Sequence, residues 1–207
     1  MPFLFPRSRK AQSSPALSGS DAELAERIRE GDERAFGRLL EARWRPLVGY
    51  LCTRVGDGEL AQDIAQEAFA RFWARRGQLD STRSVVAYLY QVARRCAIDE
   101  LRKLEVRSRW LERERSLGLL TDSGAVAQGA DPELLATLQR AIARLPTRRR
   151  EAFVLVHVQG LSYREAAEAM GSATQTVANQ VAAALAELRA QLKELIGEPG
   201  DVAAVAR

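Results

Sequence analysis

The chain has 207 residues, 46% of them hydrophobic but only 6% aromatic, and carries a net charge of +4 from 31 basic and 27 acidic residues. One histidine and two cysteines exclude a disulfide framework and an intrinsic zinc cluster, and no run approaches the roughly 18 apolar residues that cross a bilayer. Catalytic signatures are equally absent: there is no Gly-rich phosphate loop and no Ser/His/Asp or Cys/His pattern, and the neighbouring carboxylates Asp99 and Glu100 diverge on a helical pattern.

Ala, Leu, Glu and Arg dominate, which favours helix over strand, and nothing alternates with the period of a strand. Residues 1–19, rich in Ser, Pro and basic side chains, read as a disordered tail; the apolar start MPFLFPRSRK is too short and interrupted for a signal segment. Ser20 and Glu23 form a capping-box pattern for a short helix that Gly31 ends. Asp32 opens a second helical stretch to about Val55, where Phe36, Leu39, Leu40, Trp44, Leu47, Val48 and Leu51 recur at three- and four-residue steps; Pro46 is expected to kink or break it. After the turn Gly56-Asp57-Gly58, a third helix spans about 59–76, with Asp63, Gln66, Glu67 and Arg71 opposite an apolar stripe.

A fourth helix runs from about Ser84 to Lys103 or further. At 100° per residue Tyr88, Gln91, Arg95, Asp99 and Arg102 fall within about 40° of one line, with the apolar positions on the other side. An aromatic, two arginines, an amide and a carboxylate suit a single nucleic-acid strand: the ring stacks on a base and the cations neutralise phosphate. Arg94, Lys103 and Arg107 extend the positive surface. A solvated Arg/Asp face has the same composition. Cys52 and Cys96 sit on helical patterns as small reduced core residues.

From about 105 to 131 the periodicity fades into Gly, Ser and Asp-Pro, the composition of a flexible linker. Helical patterns resume over 133–145 and 147–158, separated by Pro146; His157 lies in the second of these and reads as structural. Ser162 and Glu165 form a second capping box, Gly171 stops a short helix, and a last helix begins near Thr174; the tail 197–207 should fray. The spacing Ala167, Gly171, Val177 has a physical reason. Helices that cross steeply need a small residue at their approach, a residue tolerant of positive φ in the turn, and an apolar plug in the angle. This predicts a helix-turn-helix whose second helix offers Ser172, Thr174, Gln175, Thr176, Asn179 and Gln180 to base edges or phosphates. An ordinary helical hairpin with Gly in its turn would show a similar pattern.

The expected fold is therefore all-α: two small helical domains, 20–104 and 132–196, joined by a linker. With both blocks in view the chain resembles the extracytoplasmic-function (ECF) group of bacterial RNA polymerase sigma factors. DIAQEAFARFW resembles the core-polymerase-binding motif, YLYQVARRCAIDELRK the promoter-melting helix, and LPTRRREAFVLVHVQGLSYREAAEAMG the start of the second domain. The resemblance covers about residues 21–193. It implies that Asp63, Gln66, Glu67, Phe69 and Arg71 meet core RNA polymerase, at its clamp helices, with a further contact at its flap. It implies that Tyr88, Gln91, Arg94, Arg95, Asp99, Arg102 and Lys103 meet the −10 element, with a flipped base held in a loop just after Asp99. Arg148, Arg149, Ser162 and Arg164 would join the helix-turn-helix residues on the −35 element. Promoter DNA and an anti-sigma factor are the further implied partners; no cofactor, metal or membrane is implied, and the cytoplasm is the implied compartment. Two departures stand out: Arg95 occupies a position where the family often has Asn, and Ala178, Gln180 and Ala183 stand where its last helix usually carries basic residues. Readings from other classes are a helix-turn-helix regulator or a helical adaptor that never binds polymerase.

Overall fold

The structure, a computed structural model, describes residues 21–111 and 132–196. The expected tails, the cap residue Ser20 and the linker from 112 onward lie outside the described residues. Among the described residues there are eight α-helices and no strand: α1 (Asp21–Arg29), α2 (Glu33–Val55), α3 (Gly58–Ala74), α4 (Val85–Leu111), α5 (Pro132–Arg144), α6 (Thr147–Phe153), α7 (Tyr163–Met170) and α8 (Thr174–Ile196). None of the helices is long and apolar enough to cross a membrane.

Local chemistry sets the boundaries. Gly31, at φ +91°, ends α1, and Asp32 starts α2 by accepting from the backbone N–H groups of Arg34 at 2.9 Å and Ala35 at 3.0 Å. Its other oxygen takes Arg27 Nε at 2.8 Å, so one side chain caps α2 and ties it to α1. The cap N–H of Ala35, then Arg27, hold the Asp32 carboxyl below the usual carboxylate range. α2 runs through Pro46 without the break that was one of this proline's two expected effects. Its missing N–H removes a single helix bond, while buried Leu39, Leu47, Tyr50 and Leu51 keep the flanking turns packed. Gly56, at φ +74°, closes α2, and Asp57 caps α3 through Leu60 N–H at 2.9 Å.

α4 continues to Leu111, past the point where the apolar pattern fades. The added sequence, EVRSRWL, contains no Gly or Pro, so helix propensity carries the helix where the apolar period of the sequence no longer marks it. α6 passes directly into a π-helical turn at Val154–Val158, a wider winding that an α-helical period does not anticipate.

One continuous buried cluster runs from α1 to α8. In the N-terminal half it centres on Ile28, Leu39, Leu47, Leu51, Phe72 and Leu89, with Phe36 stacked on Phe72 at 6.1 Å between ring centroids. In the C-terminal half Leu155, Val177 and Val181 join the same cluster, while Leu145 and Leu188 lie in a smaller one between α5 and α8. The two halves pack against each other: α7 lies along α4, and α6 meets α2.

Candidate polymerase and nucleic-acid interfaces

α3 presents two different sides. Ala61, Ile64, Ala65, Ala68 and Phe72 are buried, and Asp63, Gln66 and Glu67 are exposed on the opposite side, as the periodicity requires. Phe69 corrects the sequence-based assignment. It is only 3% exposed and meets Phe36 edge-on at 6.2 Å and Trp44 in a stack at 6.0 Å, so it braces α3 from beneath and cannot itself touch a partner. Arg71 is half-buried: its Nε bonds Glu67 at 2.6 Å and its Nη1 reaches Asp99 of α4 at 3.5 Å. That guanidinium therefore joins the polar side of α3 to the middle of α4.

The α4 stripe is divided by what covers it. Arg95, Asp99, Arg102 and Lys103 are exposed, and Lys103 bonds Glu100, one turn earlier, at 2.8 Å. Tyr88, Gln91 and Arg94 are half-buried: Tyr88 meets Phe72 of α3 at 5.7 Å between ring centroids, while the other two reach the C-terminal half. Gln91 Nε2 donates to the Glu168 carbonyl of α7 at 3.2 Å, and Arg94 Nε donates to Glu151 of α6 at 2.8 Å. The loop expected just after Asp99 does not exist, because Asp99 lies in mid-helix. The nearest loop to this face is the one between α3 and α4. It borders a cavity of about 90 Å³ lined by Gln78, Asp80, Arg83, Ser84, Tyr88 and Gln91, among others, with Glu168 closing one wall. Asp80 holds that loop by accepting from Thr82 N–H at 2.9 Å and Thr82 Oγ1 at 2.6 Å, and these bonds depress its carboxyl pKa.

The helix-turn-helix forms as the spacing predicts. Ser162 caps α7 and Glu165 returns the bond, Oε2 accepting from Ser162 N–H at 2.8 Å. Gly171 sits at φ +61°, Ala167 is buried at the crossing, and Val177 is fully buried in the angle. Thr174, Gln175, Thr176 and Asn179 are exposed at the start of α8, Ser172 and Gln180 are half-exposed beside them, and Gln175 Nε2 bonds Asn179 Oδ1 at 3.0 Å. Two other expected contacts are committed elsewhere: the Ser162 hydroxyl is used in the cap, and Arg149 pairs with Glu187 at 2.9 Å. Arg148 and Arg164 are exposed, Arg164 lying 3.3 Å from Glu168.

His157 is not a core residue. It is exposed, its ring centroid 5.1 Å from that of Phe153, and partial burial lowers its pKa. Cys96 is buried and Cys52 half-buried, both as free thiols, and burial pushes both thiol pKa values up.

Sequence reasoning missed the polar joint between the halves. Glu151, 3% exposed, accepts on Oε1 from the Tyr50 hydroxyl at 2.9 Å and from Arg94, and Arg54 Nη1 stands 2.6 Å from the same oxygen. Burial, then the nearby Glu151 charge, push the Tyr50 phenol well above its ordinary value. Around this centre Tyr90 donates to Gln159 at 2.9 Å, Ser84 to Glu165 Oε1 at 2.8 Å, and Arg150 Nη1 to the Thr53 carbonyl at 3.1 Å. A signal was present: Arg43, Tyr50 and Arg54 share one line of α2 with Leu47, so two cations stand in an apolar row.

Comparisons with known proteins agree with this architecture. Residues 39–107 match the family model for sigma-70 region 2, and residues 135–188 match that for sigma-70, region 4. The ECF RNA polymerase sigma factor SigW of Bacillus subtilis is 32% identical over 178 residues, covering 81% of this chain and 94% of SigW. The RNA polymerase sigma factor CarQ of Myxococcus xanthus is 32% identical over 179 residues, covering 84% of this chain and 95% of its own. Two solved structures share the fold: CnrH in complex with the cytosolic domain of CnrY (TM-score 0.62, 24% identity, 85% of this chain and 99% of that one), and the sigma factor RpoE with the anti-sigma factor NepR from Bartonella quintana (TM-score 0.65, 23% identity, 76% and 96%). A region 2 match and a region 4 match in this order, with relatives at this identity aligned along nearly their whole length, show that the chain belongs to the ECF sigma factors of RNA polymerase.

Proposed function

We propose that this sigma factor docks on core polymerase through the exposed side of α3, engages the −10 element with α4, and reads the −35 element with the N-terminal end of α8. The observation that carries the reading is the agreement of exposure with motif. Asp63, Gln66 and Glu67 are open to solvent in the segment that resembles the polymerase-binding motif, and Thr174, Gln175, Thr176 and Asn179 are open in the helix-turn-helix. Arg95, Arg102 and Lys103 supply cations for the −10 backbone. The α3–α4 loop beside Tyr88 is the place on this face where an unstacked base could be held. The clamp helices and flap are the polymerase elements we assign to α3 and to the C-terminal half, and the cytoplasm is the compartment we assign. CnrH and RpoE are seen with the partners named above; by that analogy we assign this chain an anti-sigma partner as well. In this reading the chain has no catalytic residues, and the polymerase performs the chemistry.

The test is binding to bacterial core RNA polymerase by the wild-type chain and by Glu67→Arg, followed by run-off transcription from a genomic fragment library. Expected is tight binding by the wild type, weakened at least about 100-fold by a reversed charge at a partner's hot spot, and transcripts from a restricted set of fragments. If neither protein binds, the sigma reading fails and an independent helix-turn-helix regulator or an adaptor takes its place.

A further inference from the structure

We propose that Glu151 is a latch that holds the free chain shut. It would lock α6 and α7 over the α2–α4 side of the N-terminal half and so withhold Gln91 and Arg94 from any nucleic acid. The consequence for DNA rests on reading α4 as the −10 face; the latch itself does not.

Three groups from two helices of the N-terminal half converge on one oxygen of the C-terminal half: Tyr50 of α2 and Arg94 of α4 donate hydrogen bonds to it, and Arg54 of α2 pairs with it as an ion. The carboxylate is 3% exposed, and the Arg54 and Arg94 side chains are 9% and 20% exposed. A buried carboxylate is tolerable only when paired, and here the dependence is reciprocal. Two guanidinium groups meet a single anion, so without Glu151 they would face each other across a poorly hydrated joint. The closed arrangement therefore depends on this one residue as well as on the apolar contacts that the halves share.

Three further features suit a joint that opens. The other bonds across it, Ser84 to Glu165, Tyr90 to Gln159, Gln91 to the Glu168 carbonyl and Arg150 to the Thr53 carbonyl, each use groups that water satisfies equally well on separation. A buried ion pair also adds little net stability over its hydrated components. Moreover, guanidinium binds carboxylate and phosphate in the same way. On opening, Arg94 could exchange the Glu151 carboxylate for a backbone phosphate with its hydrogen bonding intact.

The test uses the full-length free chain with paramagnetic labels on unnatural residues at exposed Gln62 in α3 and exposed Arg189 in α8, leaving Cys52 and Cys96 unchanged. Pulsed dipolar spectroscopy reads the distance distribution, and far-UV circular dichroism reads helicity. The wild type should give one narrow, short distribution. Glu151→Lys, which adds a third cation to the joint, should give a broad, longer one with helicity kept. The closed-to-open ratio should fall by about 100-fold or more, the effect of breaking a buried pair. If Glu151→Lys loses helicity, the isosteric Glu151→Gln is read in its place and should broaden the distribution in the same sense. A broad wild-type distribution, or a folded Glu151 variant with the narrow one, overturns the latch. Neither outcome touches the sigma reading, which stands or falls on polymerase binding by wild type and Glu67→Arg.

Discussion

Two helices in this molecule carry polar faces suited to nucleic acid, and the fold treats them differently. On α8, Thr174, Gln175, Thr176 and Asn179 stand in solvent with their amides and hydroxyls bonded at most to one another. On α4, the N-terminal part of the stripe is built into a joint: Gln91 is bonded to α7 and Arg94 to α6, while Arg95, Asp99, Arg102 and Lys103 remain open. A helical wheel places both sets with equal assurance, because period and direction are properties of one helix. What lies over a face is a property of two helices distant in sequence. The comparison teaches that a polar stripe locates a surface but does not say when that surface is available.

The comparison can be sharpened by substitutions that separate side chains supporting a face from those forming it. The largest expected effect is structural. Phe69→Ala should destabilise the protein by about 3–5 kcal/mol in urea unfolding, the cost of an emptied aromatic site. A loss below about 1 kcal/mol would return Phe69 to the surface and make α3 a different kind of docking element. Next, Asn179→Ala should leave the unfolding curve unchanged and weaken discrimination at one promoter base pair by about 1–3 kcal/mol. Competition between the selected promoter and its point variants measures this; equal losses on all of them would make the residue a phosphate contact. Smaller again is Arg102→Ala on the open part of α4. It should reduce the slope of log affinity against log salt by roughly 0.7–0.9, one phosphate contact, for DNA bound by the holoenzyme. An unchanged slope would mean that the open half of α4 does not lie along the backbone.

The smallest effect concerns pH. Asp32 has a folded pKa lowered by the Ala35 cap bond and by Arg27, so its stabilisation is present above the unfolded carboxylate pKa and is lost as pH falls through the folded value. Acid unfolding of Asp32→Asn, which keeps an acceptor for the cap but cannot titrate, should show a shallower fall in stability below the ordinary carboxylate range than the wild type. Parallel acid limbs would remove Asp32 from the account.

Much of the fold was legible because its signals are local. Asp32, Asp57 and Ser162 are caps, and Gly31, Gly56 and Gly171 take positive φ at the helix ends where their positions suggest it. The helix-turn-helix was equally readable, since Ala167, Gly171 and Val177 meet needs fixed by a few neighbouring residues. Three things were not. Pro46 left both a kink and a break of α2 open, and only the packing of the flanking turns decides against the break. The continuation of α4 to Leu111 follows from propensity, not from an apolar stripe. The joint at Glu151 was invisible because Glu151 lies 57 to 101 residues from its partners and each has an ordinary local context; only Arg43 and Arg54 in an apolar row of α2 hinted that something charged was buried there.

Glu165 shows how such a joint is constrained over evolution. One of its oxygens closes the capping box of α7 with Ser162, and the other accepts the Ser84 hydroxyl from across the joint. A substitution there alters two properties at once: how well the first helix of the helix-turn-helix starts, and how firmly the two halves meet. Such a position resists gradual adjustment, because a lineage could not loosen the joint through it without fraying the DNA-reading unit. Glu151 has no second task in its own helix. Across related chains, variation in how tightly the halves hold together should therefore collect at 151 and its three partners, while 165 stays fixed.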